Sequence, residues 1–178
     1  SKAASRPDLQ TGTTVFMLLF GVNFRCYALL LMWQFRSVLR DEELRLYLII
    51  VAGAILLITW DLRGLYATVG QALHHAAFQV ASIISTTGFA TADFDLWPSF
   101  SKAILMVLMI TGACAGSTAG GLKLARALLL IKTLRRNARQ VLHPNRVQVV
   151  RNNGQAISEK VLEHANAYFA AYIIIILV

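Results

Sequence analysis

Ser85-Thr86-Thr87-Gly88-Phe89-Ala90-Thr91 is a polar, flexible stretch set in apolar surroundings, and its setting decides the fold. Just ahead of it, Ala72–Ile84 is apolar but carries His74, His75, Gln79 and Ser82. That segment is too short to cross a bilayer, which takes about 20 residues of helix. After the stretch come Asp93 and Asp95, then Trp97-Pro98, residues suited to an interfacial turn. A short helix that ends in irregular backbone and returns to the side it came from is a re-entrant loop. Such backbone is tolerated at membrane depth only where protein buries it or water meets it.

Composition agrees. Hydrophobic residues make up 57% of the 178, charged ones only 15%, and mean hydropathy is +0.59. A soluble domain carries about 25% charged residues, and here the charges sit in a few blocks between long apolar runs, the pattern of segments solvated by lipid. A net charge of +8 is an electrostatic footprint shared with nucleic-acid binders, but no recognition module accompanies it. Juxtamembrane Lys and Arg on the cytoplasmic side explain it better, and no nucleic-acid partner is expected. Cys26 and Cys114 lie in apolar stretches without redox or zinc spacing. Ser1–Thr14 lacks the ordered regions of a signal peptide. The chain starts without Met and stops inside Ile173–Val178, so it reads as an excerpt of a longer polypeptide.

Working outward, an apolar segment from about Thr14 to Phe35 has the length of a spanning helix. It contains Asn23 and Arg25, which are expensive at that depth and are expected to face protein or water. Arg36–Arg45 reads as a short charged loop whose acids lead into the next helix, where the macrodipole favours them. The second span covers about Leu44 to Trp60, with Asp61–Leu65 as an extension. Ser99 to Lys132 would measure roughly 45–50 Å as one helix, beyond the hydrocarbon core of about 30 Å. Gly112-Ala113-Cys114-Ala115-Gly116-Ser117-Thr118-Ala119-Gly120-Gly121 lies in its middle, which predicts two half-helices joined by a break. Lys132–Lys160 is the most basic stretch. Leu142-His143-Pro144 ends the helix within it, Asn153-Gly154 signals a type I′ hairpin between Val147–Val150 and Gln155–Ile157, and Ser158 is placed to cap a last helix from near Lys160.

Charge sets the orientation. The basic loop at Arg36–Arg45 and the basic block after Lys132 both belong in the cytoplasm. This holds only if Ala72–Asp95 dips and returns; a full crossing would put the two blocks on opposite sides.

Thr86-Thr87-Gly88-Phe89-Ala90 parallels the T-V-G-Y-G pattern of potassium channels, whose inward-turned carbonyls replace the ion's hydration shell. Gly88 is free to take the positive φ that such a strand needs. An ordinary buried Thr/Gly turn is the competing reading. The glycines of 112–121 equally fit a helix-packing face. Gly116 to Gly121 has phosphate-loop spacing, but Leu122 follows it, the lysine comes one position late at Lys123, and Leu124 after it lacks the hydroxyl, so that reading fails. His74 and His75 fit polar pore-helix residues better than metal ligands. Asp93 and Asp95 either concentrate cations or are solvated loop acids. Trp33, Trp60 and Trp97 fit interfacial anchors.

Together with Val22-Asn23-Phe24, Tyr27, His75-Ala76-Ala77-Phe78-Gln79-Val80, Trp97-Pro98, Gly112–Lys123 and Leu142-His143-Pro144, these motifs resemble the Trk/Ktr/HKT superfamily, most closely its bacterial TrkH-type subunits. The resemblance runs from Val22 to Pro144 in the family's order. It implies an all-α polytopic membrane fold with a re-entrant pore helix and filter loop, four such repeats surrounding one pore, and bacterial inner-membrane potassium uptake without enzymatic activity. Residues 1–43 correspond to the closing helix of one repeat and its loop, 44–132 to a complete repeat, 133–159 to a basic cytoplasmic linker and 160–178 to the opening of the next. The family's filter strand maps onto Thr86, Thr87, Gly88 and Phe89, with Thr86 and Thr87 as potassium ligands. Its intramembrane gate loop maps onto Gly112, Cys114, Gly116, Ser117, Thr118, Gly120 and Gly121. Ala90 replaces the channel's second glycine, Ala113 stands where glycine is frequent, and Arg25 is unexpected. The resemblance also implies the potassium ion as cargo, no organic cofactor in this chain, a homodimer, and a cytosolic nucleotide-binding regulatory subunit facing Lys132–Lys160. Two rival readings are a non-conducting membrane scaffold and a homotetrameric cation channel; the half-units at both ends count against the tetramer, which needs only 44–132.

Overall fold

The computed structural model describes residues 7–120, 122–142, 151–152 and 155–177. They form helices α1 (Pro7–Phe20), α2 (Phe24–Leu31), α3 (Phe35–Leu39), α4 (Glu42–Asp61), α5 (Val69–Ile84), α6 (Ser99–Thr111), α7 (Leu124–Leu142) and α8 (Glu159–Leu177). The strands described are the two-residue pair β1 (Arg151–Asn152) and β2 (Gln155–Ala156), antiparallel to each other. Asn153-Gly154, Val147–Val150 and His143-Pro144 lie outside the described residues.

α4 organises the rest. Tyr47, Val51, Ala54, Ile58 and Leu62 recur every three or four residues, a single helical face, and all are buried. Against that face pack Ala72, Ala76, Val80 and Ile84 of α5 and Leu105 and Leu108 of α6. The alanines let α5 approach closely, the device by which helices associate where lipid supplies no hydrophobic drive. Opposite, Leu48, Ile49, Leu56 and Leu57 are exposed, the face suited to lipid. Glu42–Gly64 is the unbroken stretch, among the described residues, long and apolar enough to span a membrane.

The expected re-entrant path is present. α5 begins at Val69 rather than Ala72, where the Thr68 side chain caps it by accepting from Gln71 N. Beyond Ser85 the chain turns and runs back along α5. Gln79 donates from Nε2 to the Ala92 carbonyl at 3.1 Å, and His75 Nδ1 lies 3.3 Å from Thr91 Oγ1. The loop then closes where it opened. Trp97 Nε1 donates to Tyr66 Oη at 3.3 Å, and Asp61 at the end of α4 accepts from Ser101 N at 3.1 Å and Ser101 Oγ at 2.6 Å. Trp97 is therefore a buried clamp and not the interfacial anchor its sequence context indicates, whereas Trp33 and Trp60 are exposed. The Asp61–Ser101 pair joins α4 directly to α6. Hydrogen bonds to charged groups contribute about 1.5–3 kcal/mol each. Asp61→Ala is accordingly expected to lower the thermal stability of the purified full-length protein, with Asp61→Asn, which keeps an acceptor, lowering it less. Equal melting temperatures for all three proteins would show that the join is dispensable.

Two expectations need correction. The apolar run from Thr14 to Phe35 is no straight span: Asp8–Phe20 and Phe24–Leu31 meet at a bend of 93°. Asn23 is extended (φ −63°, ψ 130°) and caps α2 by accepting from Arg25 N. The carbonyls orphaned at the end of α1 find side-chain donors, Tyr47 Oη to Leu18 O at 2.9 Å and Tyr27 Oη to Leu19 O. Side chains thus bond carbonyls that the break frees, something hydropathy does not register. Second, Arg36–Arg45 is not a loop; it holds most of α3 and the first turn of α4, with Asp41 as N-cap accepting from Leu44 N at 3.0 Å.

The long third segment does break as expected, into α6 and α7. Its ends are stitched together: Leu122 N donates to Ile110 O at 3.2 Å and Leu124 N to Ala113 O at 3.0 Å. The intervening residues are an excursion whose two ends are hydrogen-bonded to each other. Past it, Lys132 forms an ion pair with Glu42. That contact sets the start of α4 beside Lys132 of α7.

Candidate functional site

The C-terminus of α5 delivers the loop 85–91. Successive carbonyls at the end of the helix take the loop's amides: Ala81 O accepts from Ser85 N at 3.1 Å, Ile83 O from Thr86 N at 3.0 Å, and Ser82 O from Thr87 N at 2.9 Å. Ser85 Oγ and Thr87 Oγ1 are 2.7 Å apart. The chain can turn so tightly because Thr86 and Gly88 both take positive φ, 56° and 77°. For Gly88 this is ordinary. For Thr86, a β-branched residue, it is strained backbone of the kind that persists only when its surroundings hold it.

What holds Thr86 comes from far along the chain. Gly120 N donates to Thr86 Oγ1 at 3.0 Å, so the loop of the broken helix sits directly against the loop after the re-entrant helix. Thr86, Thr87, Gly88 and Phe89 are exposed, forming one open edge. The negative end of the α5 macrodipole faces that edge, an environment that favours cations.

The 112–121 excursion is shaped by its own glycines. Gly112 adopts φ 65° and ψ −164°, a region that is essentially glycine-only. Cys114 is fully buried, and its carbonyl accepts from Ser117 N at 3.2 Å and Ser117 Oγ at 2.6 Å. Gly116 has a positive φ of 72°, Thr118 is exposed, and Gly121 lies outside the described residues. The loop also meets the broken junction between α1 and α2: Cys114 N donates to Gly21 O at 3.2 Å and Phe24 N to Gly116 O at 3.3 Å. Glu43, buried in the first turn of α4, accepts from Ala115 N and from Asn23 Nδ2.

Sequence reasoning therefore located both loops and their separate helices, and the structure brings the two together through Thr86 and Gly120. It missed Glu43 and the role of Asn23. The available signals were an acid one residue ahead of a long apolar run and an asparagine inside another. Arg25 is exposed in this chain and lines an open cavity of about 620 Å³ with Gln34, Ser37, Arg40 and Asp41. Asp93 accepts from Asp95 N at 3.1 Å in an exposed turn. His74 Nε2 lies 2.6 Å from Gln10 Oε1, and the His75 ring stacks on Tyr66 with centroids 5.0 Å apart, which fits pore-helix polar residues tied to their neighbours.

Known proteins resemble this chain. The chain is 33% identical over 175 residues to the Trk system potassium uptake protein TrkH of Escherichia coli K12, covering 97% of this chain and 36% of that protein. It is 30% identical to the protein of the same name from Halomonas elongata, over 91% of this chain and 34% of that one. The crystal structure of the potassium transporter TrkH from Vibrio parahaemolyticus superposes with a TM-score of 0.88 at 29% identity, covering 97% of this chain and 38% of that chain. The chain thus spans about a third of the length of the relatives it matches. Residues 5–178 match the family described as TrkH, cation transport protein. With its re-entrant helix, its doubly broken helices and nearly its whole length accounted for by that match, the chain belongs to the TrkH family of cation transport proteins.

Proposed function

We propose that this chain supplies one side of a potassium pore in a multi-pass bacterial inner-membrane uptake protein. Residues 85–91 form one strand of its selectivity filter, and 112–121 form a gate loop beneath it. The observation that carries this reading is the Gly120–Thr86 hydrogen bond. A filter strand delivered by a short re-entrant helix is expected to turn its carbonyls toward the ion path, and a loop bonded to the first residue of that strand lies across the path. Thr86 and Thr87 contribute ligands to the potassium ion, Gly88 and Phe89 continue the strand, and the carboxyl end of α5 lowers the cost of holding a cation nearby. One strand cannot encircle an ion. Thr86–Phe89 are exposed because the remaining repeats of the full chain face them, 44–132 being the complete repeat, 1–43 the end of the previous one and 160–178 the start of the next. The basic residues 133–159 face the cytosol, where a nucleotide-binding regulatory subunit docks on a homodimer.

The test is Thr86→Val in the full-length protein reconstituted in liposomes. Valine keeps the shape and removes the acceptor for Gly120 N. A neutral hydrogen bond contributes about 0.5–1.5 kcal/mol, so the loop is released and potassium flux changes by roughly two- to twelvefold, with a loss of potassium-over-sodium preference because the same bond holds the Thr86 backbone. Thr86→Ser, which keeps the hydroxyl, stays near the wild-type rate. Equal flux in all three proteins would leave the two loops unrelated to conduction.

A further inference from the structure

We propose that Glu43 and Asn23 are positioning residues that latch the 112–121 loop in place, and that the loop moves when this latch releases. The proposal rests on the gate reading above and deepens it.

Glu43 is a carboxylate with only 7% of its surface exposed. A buried charge is tolerated only when hydrogen bonds replace its water; here one comes from the Ala125 amide at the start of α7 and two from chain breaks. Ala115 N, in the excursion between α6 and α7, donates to Oε1. Asn23 Nδ2, in the bend between α1 and α2, donates to Oε2 at 3.3 Å. The same two segments are joined by Cys114 N to Gly21 O and Phe24 N to Gly116 O, at 3.2 and 3.3 Å. Asn23 does two jobs at once, since its Oδ1 accepts from Arg25 N at 2.9 Å and fixes the amide so that Nδ2 points at Glu43.

The neighbouring acids divide the work. Asp41 caps α4 by accepting from Leu44 N. Glu42 pairs with Lys132, on the far side of the excursion. Glu43 holds the near side. The first turn of α4 therefore holds both the excursion itself and the helix that follows it, with the loop's other anchor being Gly120 on Thr86. Glu43 also bonds to a fixed helix end, the Ala125 amide in the first turn of α7, so the carboxylate has one stationary partner and one in the excursion. Glu43 bonds to the backbone of a glycine-rich loop, so any displacement of that loop must first strip the carboxylate of a charge-assisted bond, the stronger kind of hydrogen bond.

Cys114 reports on this directly. Its thiol is fully buried beside the latched amide of Ala115, so it reacts with a maleimide only when the loop lifts. The experiment uses the full-length protein in liposomes, with Cys26 and any cysteines beyond this chain replaced by serine. Labelling rate and potassium flux are measured on the monodisperse fraction. Glu43→Gln keeps an oxygen for Ala115 N but loses the acceptor for Asn23; Glu43→Ala loses both. Labelling of Cys114 is expected to accelerate in the order wild type, Gln, Ala, by about ten- to a hundredfold for Ala, with flux rising in the same order and potassium-over-sodium preference unchanged. If Glu43→Ala fails to assemble, Asn23→Asp serves instead. It keeps the Arg25 cap and sets a second carboxylate against Glu43, so it too should speed labelling at neutral pH. Wild-type labelling rates in the assembled Glu43 variant and in Asn23→Asp would overturn the latch. Faster labelling with unchanged flux supports the latch and overturns the gate reading instead.

Discussion

Gly88→Ser in the full-length protein is expected to lose about five- to thirtyfold of its preference for potassium over sodium while still folding. Gly88 has φ +77°, and a Cβ built on it meets nothing within 4 Å. Within this chain nothing clashes with the added Cβ, so the cost legible here falls on the backbone. Left-handed geometry disfavours a residue with a Cβ by about 1–2 kcal/mol, and 1.4 kcal/mol is tenfold in an equilibrium. A short loop held at one end by Ser82 O and at the other by Gln79 on Ala92 relieves that strain by rotating its peptide planes. Rotated planes misdirect carbonyls, and carbonyl placement is what a filter strand contributes. Competitive rubidium and sodium flux on monodisperse protein measures the outcome. Selectivity equal to wild type in a well-folded Gly88→Ser protein would remove 85–91 from the filter.

The parts of this molecule that sequence made legible are those with a local cause. α4 follows from a long apolar run, and the re-entrant path from the shortness of Ala72–Ile84 followed by Ser85–Thr91. The α6–α7 break follows from a segment too long for the bilayer with four glycines in its middle. Each of these is a statement about one stretch of chain. Gly88 at positive φ belongs here too, because glycine is the residue that takes such geometry freely.

What sequence hid depends on pairs far apart. The 93° bend after Phe20 is invisible to hydropathy because Val22 and Phe24 are apolar. It is stable only because Tyr27 and Tyr47 bond the carbonyls that the bend frees. Trp97 has the look of an interfacial residue, and it is buried by Tyr66, which lies 31 residues earlier. Thr86 at φ 56° contradicts its own propensity, and the amide beside it comes from Gly120. Glu43 reads as one acid among several in Arg36–Arg45 until the loop from Ala115 arrives above it. Two of these hidden features, Thr86 and Glu43, converge on the loop between α6 and α7, which is where local and long-range preferences conflict.

That conflict makes Gly112 the second sensitive point, and Gly112→Ala is expected to raise the flux rate by roughly five- to a hundredfold with ion preference changed less than the rate. Gly112 ends α6 with φ 65° and ψ −164°, and residues held in such regions cost of order 1–3 kcal/mol when a Cβ is present. Alanine also favours the helix interior over glycine by about 1 kcal/mol, so the substitution pulls Gly112 toward continuing α6. Both effects disfavour the excursion as it stands, with Gly120 on Thr86 and Ala115 on Glu43. Because that arrangement lies against the filter strand, destabilising it shifts the population toward a displaced loop, by tenfold for each 1.4 kcal/mol. The filter strand carries no substitution, so the ratio of potassium to sodium flux should change less than the rate. A role in helix packing alone predicts another pattern: fewer assembled molecules, each conducting at the wild-type rate. Flux normalised to folded protein separates the two, and a rate at or below wild type in well-assembled Gly112→Ala would mean that the 112–121 loop does not close the path.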